Sequence, residues 1–172
     1  SLFPGRRASL VPAFRSLIRA ELSRASPGNL QVVYACLHNV VTDIMLASGR
    51  VDVLRGFIEA SHQLALRPVL ISQNPIRLLS RELGRNYTAC FSFNPLGYMV
   101  NPSLQETEQY LLKNEKRLPE GLWAMQILAS GACSMEALLQ LDSLRAFDAL
   151  LYATSRPDRI APFAAAIKAR FG

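Results

Sequence analysis

His38 follows directly on the apolar segment Leu30–Leu37 and stands five residues before Asp43. An imidazole changes charge near neutral pH, and a carboxylate on one ring nitrogen fixes which nitrogen carries the proton. The pair could therefore move a proton, His38 as base or acid and Asp43 as its orienter. The bland alternative is a His bonded to loop backbone. Zinc needs three or four protein ligands, and this pair supplies too few, so no metal site is expected. Nothing in the sequence names a cofactor.

A second set of residues could bind rather than react. Asn74 and Asn94 each precede a proline, Ser130-Gly131 opens a small-residue turn, and Thr154-Ser155-Arg156 precedes Pro157. Amides and hydroxyls of this kind fix the orientation of a ligand, and an arginine pairs with carboxylate or phosphate. Each also has a plain reading, the two Asn as caps or turn formers and the Arg as a solvated charge.

Other chemistries lack their residues. Lys113, Lys116 and Lys168 fall on expected helices or helix ends, so a Schiff-base nucleophile at a strand end is not offered. There is no GxSxG, Walker or GxGxxG motif. Cys36, Cys90 and Cys133 include no CxxC pair and read as small buried hydrophobes in a reducing, cytoplasmic setting.

The candidates all fall at the ends of apolar segments. The expected strands are Leu30–Leu37, Pro68–Ser72, Tyr87–Phe93, Leu122–Leu128 and Phe147–Ala153. Helices are expected over residues 10–24, Val51–Leu66, Ile76–Leu83, Ser103–Lys116, Met135–Leu144 and 158–171. Asn74 before Pro75, Ser103 with Glu106, and Ser155 with Asp158 read as helix starts. Residues 40–50 read as a loop or a short helical turn.

Strands alternating with helices through short connections specify parallel strands and right-handed crossovers. The expected fold is a single α/β domain over residues 1–172, built of about five βα units: a partial TIM barrel or, alternatively, a doubly wound open sheet. A complete barrel is typically about 250 residues, so the chain would be the C-terminal part of a longer one. Ligands in such folds sit outside the carboxyl ends of the strands, and that rule gathers the candidates onto one rim.

Composition narrows the partners. Half the 172 residues are hydrophobic and 19% are charged, which excludes a disordered chain. The net charge is +6, nearly all from scattered arginines with no dense run, so the expectation is a solvated basic surface rather than a nucleic-acid interface. No apolar run is long enough for a membrane span, and residues 1–9 do not read as a signal peptide.

Ala129-Ser130-Gly131, Met135-Glu136-Ala137-Leu138 and Asp148–Ser155 together resemble strands seven and eight of phosphate-binding TIM barrels, over roughly residues 122–160. His38–Asp43, Ile71–Pro75 and Phe93–Val100 are similar to an uncharacterised group of microbial TIM-barrel proteins. The resemblance implies a phosphate held near Ser130, Gly131 and Thr154, and an enzyme of lyase or isomerase type acting on a small anionic metabolite. The competing expectation is a non-catalytic module that kept the fold. With five strands, either form would have open sheet edges and would assemble with itself or with a partner chain.

Overall fold

The computed structural model describes residues 10–25 and 31–171. The expected start of the first strand at Leu30, and the reading of residues 1–9, lie outside them. Five strands form one all-parallel sheet: β1 Tyr34–Leu37, β2 Arg67–Ser72, β3 Thr88–Ser92, β4 Gly121–Met125 and β5 Ala149–Leu150. The helices are α1 Val11–Ala25, α2 Asn39–Ala47, α3 Val51–Gln63, α4 Pro75–Leu79, α5 Leu104–Asn114, α6 Met135–Leu139 and α7 Ile160–Phe171. Among the described residues no helix is long and apolar enough to cross a membrane.

Strand order is sequential, β1-β2-β3-β4-β5. That order has no reversal, the feature at which a doubly wound sheet changes direction. With right-handed crossovers it puts the connecting helices on one face, so the strand order favours the partial-barrel expectation over the open one. Register fixes which side chains face the helices. Leu37 lies beside Leu70, Leu70 beside Ala89, and Ala89 beside Leu122. These residues join Leu54, Phe57, Leu78, Phe91, Leu138 and Phe163 in the main core.

The opposite face carries Tyr34, Cys36, Val69, Cys90 and Trp123 by strand alternation. Tyr34 of β1 and Trp123 of β4 meet edge to face with ring centroids 4.7 Å apart. Strands three positions apart in a flat sheet would be separated by about 14 Å. The sheet is therefore curled, with this face concave. Cys90 lies inside the curl, where burial pushes its thiol up to about 12. The sign follows directly: an acid held protonated in the fold opposes unfolding less once the unfolded thiol ionises. Stability is full below the unfolded value of 9.0 and falls as pH rises from there toward about 12. Urea unfolding across that window should show the decline, and Cys90→Ala should make it shallower, with burial of Tyr87 supplying part of the remainder.

Gly121 opens β4 opposite Thr88 of β3. A Cβ there would stand 2.5 Å from Thr88 Oγ1 and 3.1 Å from its Cγ2. Thr88 is buried and stiff at χ1, so it yields little. Gly121→Ala should cost roughly 1–3 kcal/mol, read as a lower urea midpoint. Adding Thr88→Ala should return most of it.

Several elements differ from the sequence expectation. Residues 40–50, expected as a loop or a short helical turn, hold most of the helix α2, which at Asn39–Ala47 is longer than a single turn. The strand expected over Leu122–Leu128 ends at Met125, because Gln126 adopts φ 52° and turns Ile127 and Leu128 into the core. The strand expected over Phe147–Ala153 reduces to Ala149–Leu150, which among the described residues pairs only with β4. Of the Leu30–Leu37 strand only Tyr34–Leu37 pairs, and the Met135–Leu144 helix stops at Leu139, with a 3-10 turn over Asp142–Ala146. The Ser155–Asp158 cap is replaced: Arg156 occupies the cap position of the turn Pro157–Arg159 without a side-chain bond.

Candidate functional site

His38 stands at the C-terminal end of β1 and is exposed. Its Nδ1 accepts the Val40 N–H at 3.2 Å and so caps α2. This leaves Nε2 as the nitrogen available to a ligand. Asp43 lies one turn into α2, but its partners are not His38. The Ser72 hydroxyl donates to Asp43 Oδ1 at 2.5 Å, and the Gln73 N–H donates to Oδ2 at 3.0 Å. The expected orienter therefore ties α2 to the end of β2. The reason is local: Ser72 and Gln73 end the neighbouring strand and offer two donors at hydrogen-bond distance.

The amides also serve the fold. Asn74 Oδ1 accepts the Arg77 N–H at 2.9 Å, and Pro75 follows as the first residue of α4. Asn94 is fully buried. Its Nδ2 donates to the Tyr98 carbonyl and its Oδ1 accepts the Tyr98 N–H, both at 2.9 Å. Those bonds close the turn after β3 and hold it against the rim. Beside it, the Ser92 hydroxyl donates to Gln126 Oε1, and Gln126 Nε2 approaches Met99 Sδ.

The remaining candidates converge. Ser130, Gly131, Thr154 and Ser155 line a cleft of about 810 Å³ beyond the ends of β4 and β5, together with Gln126, Tyr152 and Arg159. Ala129, Ser130 and Gly131 take φ values of 46°, 58° and 93°, three left-handed residues in succession. Two of these are not glycine, and such strain costs about 1–3 kcal/mol each unless the surroundings hold it. Gly131 has open space where its Cβ would be, so its φ rather than crowding selects glycine.

Two backbone donors in this turn are engaged. The Gly131 N–H donates to the Leu128 carbonyl at 2.7 Å, and the Ala132 N–H to the Ala129 carbonyl at 3.1 Å. Thr154 Oγ1 accepts the Arg156 N–H at 3.0 Å, so it shapes its own loop. The side chains in the cleft that could contact an anion are the hydroxyls of Ser130 and Ser155 and the guanidinium of Arg159. Arg159 forms no ion pair among the described residues. Arg156, the arginine expected here, is exposed and does not line the cleft.

Comparison of the chain with protein-family models, curated proteins and solved structures gives no match. The site is thus read from its own geometry. Arg159 was missed because it sits inside the stretch expected as the last helix. The usable signal was Pro157, which starts a separate 3-10 turn and swings Arg159 back to the strand ends. Among the described residues no three His, Cys, Asp or Glu side chains gather as a metal site would require.

Proposed function

We propose that this chain is a TIM-barrel-like module that binds a small anionic or phosphorylated metabolite at the C-terminal rim of its sheet. The observation that carries the reading is the β4–β5 cleft, lined by Ser130 from the connection after β4 and by Ser155 and Arg159 from the connection after β5; Arg159 has no ion pair among the described residues. A guanidinium and two hydroxyls suit a phosphate or carboxylate group by charge and by hydrogen-bonding capacity. Among the described residues β1 pairs on one side only, which supports assembly through that edge with another copy or a partner chain.

A second reading makes the rim that of a lyase or isomerase, with His38 moving the proton. It is favoured by the free Nε2 of His38 at a strand end. It has lost Asp43 as the orienter, and binding is therefore the better supported role.

Titration calorimetry with glycerol phosphate, and with neutral glycerol as control, tests the proposal. Saturable heat with the phosphate alone is expected. Equal responses to both, or to neither, would overturn it. The enzyme reading adds one requirement: once a turnover assay is in hand, His38→Ala abolishes turnover and keeps the binding.

A further inference from the structure

A larger groove lies along the other side of the last βα unit. It measures about 890 Å³ and runs between the β5 segment and α7. It shares only Leu150 and Tyr152 with the β4–β5 cleft. β5 is the sheet edge, so no further strand covers this side among the described residues.

The groove is polar at one end and apolar along its length. The cations come from the C-terminal turn of α7, which holds Lys168 and Arg170, and from Arg145 just before β5. Arg145 and Arg170 both lie over the Phe171 ring, at 5.9 and 5.2 Å from its centroid. That shared ring joins the two guanidinium groups in one cluster, and Lys168 lines the same groove. Away from it the walls are Leu150, Tyr152, Ile160, Phe163 and Ile167. Tyr152 and Phe163 stack with ring centroids 4.4 Å apart and form an aromatic pair at the groove.

The charges are cancelled only in part. Arg170 donates to Asp142 Oδ1 at 2.6 Å. Arg145 and Lys168 form no ion pair among the described residues. The one acid lining the groove, Asp148, already accepts the Leu122 N–H at 2.8 Å. An anion entering at this end therefore meets a surplus of positive charge. The rest of that ligand meets hydrocarbon and aromatic surface over the length of α7, roughly 18 Å for its 12 residues.

We propose that the β5–α7 groove binds a single-chain amphipathic anion, a carboxylate carrying an unbranched alkyl chain. The headgroup sits among Arg145, Lys168 and Arg170, and the chain lies along Tyr152, Phe163 and Ile160. This site does not depend on the anion cleft at the rim. A small hydrophilic phosphate would leave the apolar walls uncovered, and a neutral alkane would leave the cations without a partner.

The probe is decanoate, titrated by calorimetry below its micelle concentration. Saturable one-site binding is expected, with decanol at least about tenfold weaker because it lacks the charge. Across hexanoate, octanoate and decanoate, affinity should rise by up to about fourfold per methylene buried. Arg145→Glu with Lys168→Glu should weaken decanoate at least about tenfold, since both side chains are exposed and contribute charge rather than packing. Ala164→Trp, which fills the trough, should abolish binding and leave glycerol phosphate binding at the rim unchanged. No decanoate binding, or binding indifferent to both variants, overturns the proposal. Sedimentation with phosphatidylglycerol vesicles in the absence of decanoate binding also overturns it, because the surface then reads a membrane rather than a free acid.

Discussion

Replacing Arg159 by glutamate lowers the affinity for glycerol phosphate by about a hundredfold or more. Each hydrogen bond to a charged group contributes about 1.5–3 kcal/mol, and the new carboxylate repels the anion that the guanidinium attracted. Arg159→Lys should lose about tenfold, because the ammonium keeps the charge and gives up the planar fork. The fold should not register either change. Arg159 is exposed, and surface substitutions of this kind stay within about 0.5 kcal/mol. Calorimetry on the two variants, with urea unfolding alongside, separates binding from stability. If Arg159→Glu binds as the parent does, the cleft is not the anion site.

Asn94→Ala should be the most damaging single change near the rim. Asn94 is fully buried and satisfies both polar groups of the Tyr98 peptide. Alanine removes both bonds and leaves a void beside Phe93, itself fully buried. Each lost hydrogen bond costs about 0.5–1.5 kcal/mol, and the void adds to this. The expected loss is about 3 kcal/mol or more, read as the shift in the urea midpoint. Asn94→Asp should also destabilise at neutral pH, because a buried carboxylate would face the Tyr98 carbonyl. It should recover on acidification, since a protonated carboxyl can donate to that carbonyl as the amide did. A loss for Asn94→Ala no larger than for an exposed residue would contradict the role given to this side chain.

The parallel βα plan could be read in the sequence because its signals are local. Apolar segments such as Pro68–Ser72 and Tyr87–Phe93 end in Asn and Pro, and both Asn74 and Ser103 cap the helices they precede. The α2 helix was hidden by its own composition. Val40, Val41 and Thr42 are β-branched, and Val40 and Ile44 are more than half exposed, so no inward stripe marks it. β4 and β5 came out shorter than their apolar runs. Ile127 and Leu128 owe their burial to a turn into the core, which looks like a strand in sequence.

The site was legible in part. Ser130, Gly131, Thr154 and Ser155 could be placed together from the strand-end rule alone. The partners of Asp43 could not, because Ser72 and Gln73 are some thirty positions away and reach it only across the β1–β2 pairing. Arg159 needed the turn at Pro157, and the curl of the sheet needed the meeting of Tyr34 with Trp123.

The most direct test of the account is a titration of the 15N-labelled chain with glycerol phosphate, followed by backbone amide resonances. The amides of Ser130, Gly131, Thr154, Ser155 and Arg159 should move together along one saturation curve, while those of β1 and α2 stay still. If these five remain in place as the ligand saturates, or if the shifts gather elsewhere, the cleft beyond β4 and β5 is not where this protein meets its ligand.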